Sequence, residues 1–165
     1  MNIILATTSP YRRRLLERLQ LPFRCVSPET DETPLPDEAP AALAVRLARA
    51  KAESIARLQP GALIIGSDQV ASIEGSIMGK PGNFNSASAQ LRSSSGREVV
   101  FYTAIALIAP NRDQERFHVE RFCVRFRALS DSQIANYLHR EQPYDCAGSF
   151  KVEGLGIALF ESLIG

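Results

Sequence analysis

Apolar positions recur along the chain with two different spacings, and each spacing predicts an element. NIILA (2–6) is an unbroken apolar run, expected as a short buried strand. After the polar TTSP, the segment YRRRLLERLQL places Leu15, Leu16 and Leu19 at helical spacing. Ser9 followed by Pro10 marks the start of that helix: a hydroxyl that can cap, then a proline whose missing N–H costs nothing in a first turn. PFRCVSP (22–28) predicts a second strand and runs into the acidic, proline-rich loop ETDETPLPDEAP. From Pro40 to Leu58 the chain is rich in alanine and leucine, with Leu43, Leu47 and Ile55 on one face, which predicts a helix.

ALIIGSDQV (62–70) opens as an apolar strand over 62–65 and gives out at Ser67, Asp68 and Gln69, so Asp68 is expected at the strand's end. VASIEGSIMGKPG reads as a hairpin turning at Glu74–Gly75. SASAQLRSSSG predicts a short helix ended by Gly96. REVVFYTAIALIAP (97–110), full of β-branched and aromatic residues, is a long strand. HVERFCVRFRAL (118–129) sets Val119, Phe122, Val124 and Phe126 against charged neighbours, as a strand with one wet face would. SDSQIANYLHR opens with Ser130 and carries Gln133 three residues later, a capping-box pattern. CAGSFKVEGLGIALFESLIG closes the chain as a glycine-rich turn and a strand. Strands and helices mix along the whole length, so the fold class is α/β, and residues 1–165 read as a single domain without repeats or linkers.

Composition narrows the function. A length of 165 residues suffices for a core without disulfide staples, and 45% apolar with 22% charged residues is ordinary for a soluble domain. A net charge of +1 gives no overall field for nucleic acid or a membrane surface, so neither is an expected partner. Three cysteines, Cys25, Cys123 and Cys146, without CxxC spacing read as isolated reduced thiols, and two histidines are too few for a His-based metal site. MNIILATTSP lacks the basic start of a secretory signal, and no apolar run approaches the roughly 20 residues of a spanning helix. The expected compartment is therefore the cytoplasm, and a homodimer is compatible with the symmetric self-association common among soluble proteins.

Three polar groupings could carry chemistry. In TTSPYRRR a helix N-terminus, already favourable to anions, is flanked by Thr7, Thr8 and Ser9 and followed by Arg12 and Arg13, a combination suited to a phosphate chain. A plain capped helix with a solvated basic face is the alternative. GxxxxGK[ST] is absent from the sequence, which disfavours a Walker-type NTPase. The second grouping is acidic: Glu29, Asp31 and Glu32 in a loop, and Asp68 at the end of an apolar run, where open α/β sheets place ligands. Asp68 with a loop acid could hold Mg²⁺ or Mn²⁺ together with substrate phosphates, or Asp68 could activate water. Asp37 and Glu38 read as ordinary solvated loop residues. Third, only Lys51, Lys80 and Lys151 stand against sixteen arginines. Each could meet a phosphate or an anionic transition state, although taken singly each reads as a surface lysine.

Together these pieces resemble the Maf family of nucleotide pyrophosphatases from end to end. TTSPYRR looks like the family's S-x-S-P-x-R segment, SPETDE its acidic loop and RLARAKA its lysine-bearing helix. GSDQV resembles its aspartate motif, GKP its lysine turn, and SGREVVFYTAIAL and YDCAGSFKVEGLG its later blocks. The resemblance implies a fold of the ITPase type, a mixed twisted sheet flanked by helices with a ligand cleft between two lobes. It also implies hydrolysis of a nucleoside triphosphate to the monophosphate and diphosphate with a divalent cation, Mg²⁺ or Mn²⁺. By that resemblance Asp68 is the proton acceptor, while Thr7, Ser9 and Arg12 hold phosphates, and Arg13 joins the substrate-binding residues. Glu32 and Asp68 would form the metal region, and Lys51 and Lys80 would meet the developing negative charge.

The resemblance also implies a substrate. Members acting on dTTP and UTP show SPRR, GADT and a later IQG; SPYRR, GSDQ and VEG here are similar to the branch that hydrolyses 7-methyl-GTP. Tyr11, Gln69 and Glu153 are the differing positions. Methylated guanine carries a delocalised positive charge, which an aromatic face such as Tyr11 and a carboxylate such as Glu153 would both favour. Which of the three touches the base stays open, with a dTTP/UTP pyrophosphatase and a non-catalytic nucleotide-binding regulator of division as alternative functions. Family members continue beyond this point with a GLPL-type segment, so the resemblance implies that the C-terminal end of the family domain is missing.

Overall fold

The computed structural model describes residues 2–110 and 114–165, which form seven strands and four helices. The order is β1 (Ile3–Ala6), α1 (Pro10–Glu17), β2 (Arg24–Val26), α2 (Pro40–Ala56), β3 (Leu63–Ile73) and β4 (Ser76–Met78), then α3 (Phe84–Ser94), β5 (Glu98–Ile108), β6 (Glu115–Phe126), α4 (Asp131–Glu141) and β7 (Phe160–Ile164). The strands make one sheet in the order β2-β1-β3-β5-β6-β7, with β4 paired to β3. It is mixed: β1 lies parallel to β2 and β3, whereas β4 and β7 run antiparallel to β3 and β6. The class is α/β, as expected.

Two compact units divide the chain. The first takes in the chain up to Asp68 together with Thr103–Val119; the second comprises Gln69–Tyr102 and Glu120–Gly165. In the first, every residue of β1 is buried, as its apolar run requires, and it pairs with Leu63–Gly66 of β3. Helix α2 buries Leu43, Ala44, Leu47, Ala48, Ala52 and Ile55 on one face, matching the expected spacing, and buries Lys51 on that same face. Helix α1 behaves differently. It has no buried residue, and Leu15 and Leu19 are 61% and 63% exposed. Helical periodicity located the helix correctly but said nothing about what covers it.

Gly66 on β3 explains how closely α2 approaches the sheet. A Cβ there would strike the Ala48 carbonyl oxygen and come within 2.8 Å of the Ala52 backbone nitrogen. Only glycine facing two alanines permits that approach, and it brings Lys51, the neighbour of Ala52, against β3.

The second unit is held by a single apolar cluster including Met78, Leu91, Val99, Phe101, Val124, Phe126, Ile134, Leu138, Phe150 and Leu159. Phe126, Phe150 and Phe160 meet edge to face, with centroids 4.8–5.5 Å apart, and Phe101 meets Phe150 in the same manner at 5.2 Å. Local signals correctly placed its elements. Glu74 and Gly75 both take positive φ in the β3–β4 turn, as a tight hairpin needs. Ser130 and Gln133 form a reciprocal capping box on α4.

Two strand expectations fail. β3 does not end before Asp68 but runs on to Ile73, so Asp68 is a mid-strand residue with its side chain buried. β6 lacks one consistent wet face: Arg116–Arg121 are exposed throughout, and burial begins only near Cys123 and Val124.

Candidate active site

Asp68 is 7% exposed and Lys51 5%, so both charges sit away from water and each needs a partner. They supply each other: Lys51 Nζ lies 2.6 Å from Asp68 Oδ1. Lys51 Nζ also lies 2.5 Å from Glu32 Oε1 in the acidic loop, and Arg12 Nη2 stands 3.7 Å from Asp68 Oδ1. Loop, α1, α2 and β3 thus each contribute one charged side chain to a single cluster of two carboxylates and two cations. The surface-lysine reading of Lys51 is overturned. Lys51 is buried on the same face of α2 as Ala48 and Ala52, and its Nζ reaches the acids.

Arg12 is placed by the helix start. The Ser9 side chain caps α1 by accepting from Arg12 N at 3.4 Å, and Thr7 Oγ1 accepts from Ser9 N at 3.0 Å. Thr7 is itself buried, its N–H donating to the Val26 carbonyl at 3.0 Å, so β2 anchors the turn. The result is a rigid helix N-terminus with hydroxyls on one side and a guanidinium beside Asp68, an arrangement that suits anions. Tyr11 is half-buried on the first turn. Arg13 is exposed, and its Nε donates to Glu17 at 2.9 Å.

The acidic loop is braced from α2. Arg46 grips Glu38 with two hydrogen bonds, 2.7 and 2.8 Å, and donates to the Thr33 carbonyl at 3.0 Å. Arg46, aided by the Leu35 N–H, holds the Glu38 carboxyl at about 2, below the ordinary 4.5. Glu38 is therefore no solvated loop acid, contrary to expectation; Asp37 is exposed, in line with it. Hydrogen bonds from Thr33 hold Asp31 below the usual carboxylate range as well. These contacts fix the loop on both sides of Glu32. Sequence reasoning missed Arg46 and Glu38, although an arginine nearly two turns inside α2 and an acid bounded by Pro36 and Pro40 were a usable signal.

The remaining predicted residues belong to the second unit. Gln69 follows Asp68 on β3 and is exposed. Lys80 is exposed in the GKPG turn, which Gln90 secures by donating from Nε2 to the Gly79 carbonyl at 3.0 Å. Glu153 is exposed on a loop whose neighbours are pinned. Lys151 N donates to Tyr137 Oη at 3.0 Å, Lys151 Nζ to the Glu141 carbonyl at 3.3 Å, and Leu155 N to Glu141 Oε2 at 2.7 Å. A Cβ on Gly154 would lie 2.6 Å from Glu141 Oε2, so glycine lets that carboxylate dock under the loop. Burial drives the Tyr137 phenol well above its ordinary value, which keeps it neutral as a hydrogen-bond acceptor for Lys151. Gln90, Tyr137 and Glu141 escaped the sequence reading because each acts through a partner far away in the chain.

Comparison with known proteins gives the family of the chain. Residues 2–165 match the family described as Maf-like protein. The chain is 55% identical over 161 residues to the 7-methyl-GTP pyrophosphatase of Polaromonas sp. strain JS666, covering 98% of this chain and 74% of that protein. It is 55% identical over 162 residues to the 7-methyl-GTP pyrophosphatase of Bordetella avium, covering 98% and 81%. Among solved structures, the Staphylococcus aureus Ham1 protein superposes with a TM-score of 0.55 at 13% identity, over 76% of this chain and 72% of that one, a likeness of fold alone. With its motifs in order, its acid–lysine cluster assembled and nearly its whole length matched, this chain belongs to the Maf-like protein family.

Proposed function

We propose that the protein is a nucleoside triphosphate pyrophosphatase that hydrolyses 7-methyl-GTP to 7-methyl-GMP and diphosphate. The observation that carries the chemistry is the buried Lys51–Asp68 pair beside the capped N-terminus of α1. Relatives at 55% identity that bear the name 7-methyl-GTP pyrophosphatase support the choice of substrate. The N–H groups of α1, Ser9 and Arg12 bind phosphate oxygens, with Thr7 holding the turn in place. Asp68 accepts the proton of the attacking water as the bond between the α-phosphorus and the bridging oxygen to the β-phosphate breaks. Lys51 and Lys80 offset the negative charge that builds up on phosphate oxygens in the transition state. Tyr11, Gln69 and Glu153 select the base, the positive charge of methylated guanine favouring an aromatic face and a carboxylate. Arg13, tied to Glu17, plays at most a long-range part in attracting the anion.

Among the described residues no group of three or more His, Cys, Asp or Glu stands ready to hold a metal by itself. The donor set nevertheless fits a hard divalent cation. Glu32 and Asp68 converge on one point, and Mg²⁺ takes one or two carboxylates with the remaining oxygens from phosphates and water. Mg²⁺ or Mn²⁺ bound there would neutralise phosphate charge. The test is diphosphate release from 7-methyl-GTP, GTP, dTTP and UTP side by side. The highest kcat/KM is expected for 7-methyl-GTP; preference for the pyrimidine nucleotides would reject the assignment of Tyr11, Gln69 and Glu153.

A further inference from the structure

The Lys51 ammonium lies 2.5 Å from Glu32 and 2.6 Å from Asp68, at the point where those two carboxylates converge. We propose that Lys51 is a resident counter-ion which keeps the divalent cation out until a nucleotide brings its phosphates, so that metal and triphosphate bind as a couple. This rests on the function proposed above and adds the order in which its site is filled.

Charge balance is the reason. Asp68 and Glu32 are two anions; Lys51 and Arg12 are two cations within 4 Å of them. These four side chains balance in charge, which leaves no surplus among them to attract a divalent ion. A metal entering alone would have to share both carboxylates with an ammonium at hydrogen-bond distance, and the charges of Asp68 and Lys51, almost fully buried, are poorly screened, although Glu32 is half-exposed. A triphosphate reverses the balance. Its oxygens bring several negative charges, give Lys51 a new partner, and complete the ligand set that two carboxylates cannot supply. Lys51 can make that exchange because its ammonium ends a flexible four-carbon stem, so the tip can move while α2 stays in place. Selectivity gains from this order, since a cation without a nucleotide finds no surplus charge among these groups to hold it.

Two measurements test the proposal without any turnover. The first is calorimetric titration of Mn²⁺ into nucleotide-free protein, wild type against Lys51→Met, a residue that keeps the buried stem and removes the charge. Wild type should bind weakly, and Lys51→Met at least about tenfold tighter, equivalent to about 1.4 kcal/mol. Adding Glu32→Gln to Lys51→Met should abolish the gain. Equal Mn²⁺ affinity of wild type and Lys51→Met overturns the proposal. The second follows Lys51 in the wild-type protein, which covers the case in which Lys51→Met does not fold. Lysine labelled at ¹³Cε gives signals from Lys51, Lys80 and Lys151 only, assigned through Lys80→Arg and Lys151→Arg. The Lys51 signal should stay in place when Mg²⁺ is added alone and shift when a non-hydrolysable triphosphate analogue follows. A saturating shift of Lys51 with Mg²⁺ alone contradicts the proposal. Because neither readout needs diphosphate release, failure here and failure of the assigned activity are separately visible.

Discussion

The two units of the molecule spend their sequence in opposite ways. The first is built from small residues: Ala44, Ala48 and Ala52 on α2, and Gly66 on β3, let backbone approach backbone and carry a buried lysine to a buried aspartate. The second is built from large ones, with Phe101, Phe126, Phe150 and Phe160 interlocked edge to face and three polar side chains, Gln90, Tyr137 and Glu141, tying down its loops. Close backbone packing gives little adjustable volume, so a small change in the first unit moves charged groups. An aromatic cluster buries much more area per residue, so a change in the second unit removes stability. Precision is concentrated in one unit and cohesion in the other.

Truncation of the aromatic cluster gives the largest stability effect. Phe126→Ala removes a ring that is 1% exposed and contacts both Phe150 and Phe160, and should cost about 3–5 kcal/mol in denaturant unfolding. Turnover per folded molecule should change little. A collapse of turnover in the folded fraction would erase the contrast between the units. Gly66→Ala should cost less, about 1–3 kcal/mol from overpacking, because backbone atoms of α2 stand where the methyl would go. Its effect on activity should be the greater one: displacement of α2 takes Lys51 with it, and turnover should fall by about tenfold or more. Unfolding curves and steady-state kinetics on the same preparations decide the point.

The smallest expected effect depends on pH. Glu38 is held at about 2 against an ordinary 4.5, chiefly by Arg46. A depressed carboxyl contributes stability that is complete above its ordinary value and is lost as pH falls from about 4.5 towards about 2. Glu38→Gln should therefore lower the melting temperature slightly at neutral pH and flatten the acid limb, the two profiles converging as pH falls towards about 2. An unchanged acid limb would mean that the Arg46 brace does not hold the loop carrying Glu32.

What could be read from the sequence was what is local. Ser9 with Pro10, Ser130 with Gln133, and Glu74–Gly75 all announce elements through contacts spanning a few residues, and the structure has each in place. Asp68 was misplaced at a strand end because Ser67, Asp68 and Gln69 interrupt an apolar run. The strand continues because the buried carboxylate finds Lys51, seventeen positions back in the chain, which no local pattern reveals. Glu38 was misread for the same reason, its partner being Arg46 on the next helix. The leucines of α1 show the converse: spacing alone finds a helix but does not bury it. For the site, residue types and motif order pointed to Thr7, Ser9, Arg12, Glu32, Lys51 and Asp68, and the structure gathers these in one unit. The bracing residues needed coordinates.

The most direct measurement is diphosphate release from 7-methyl-GTP by Asp68→Asn, with circular dichroism and thermal unfolding run in parallel. Loss of a positioned base is expected to lower kcat by about 10²–10⁴-fold in a protein that still melts cooperatively, since Glu32 remains to pair with Lys51. A folded Asp68→Asn protein that releases diphosphate at the wild-type rate would contradict the assignment of Asp68 as the proton acceptor, and with it the account of this cluster as the chemical centre.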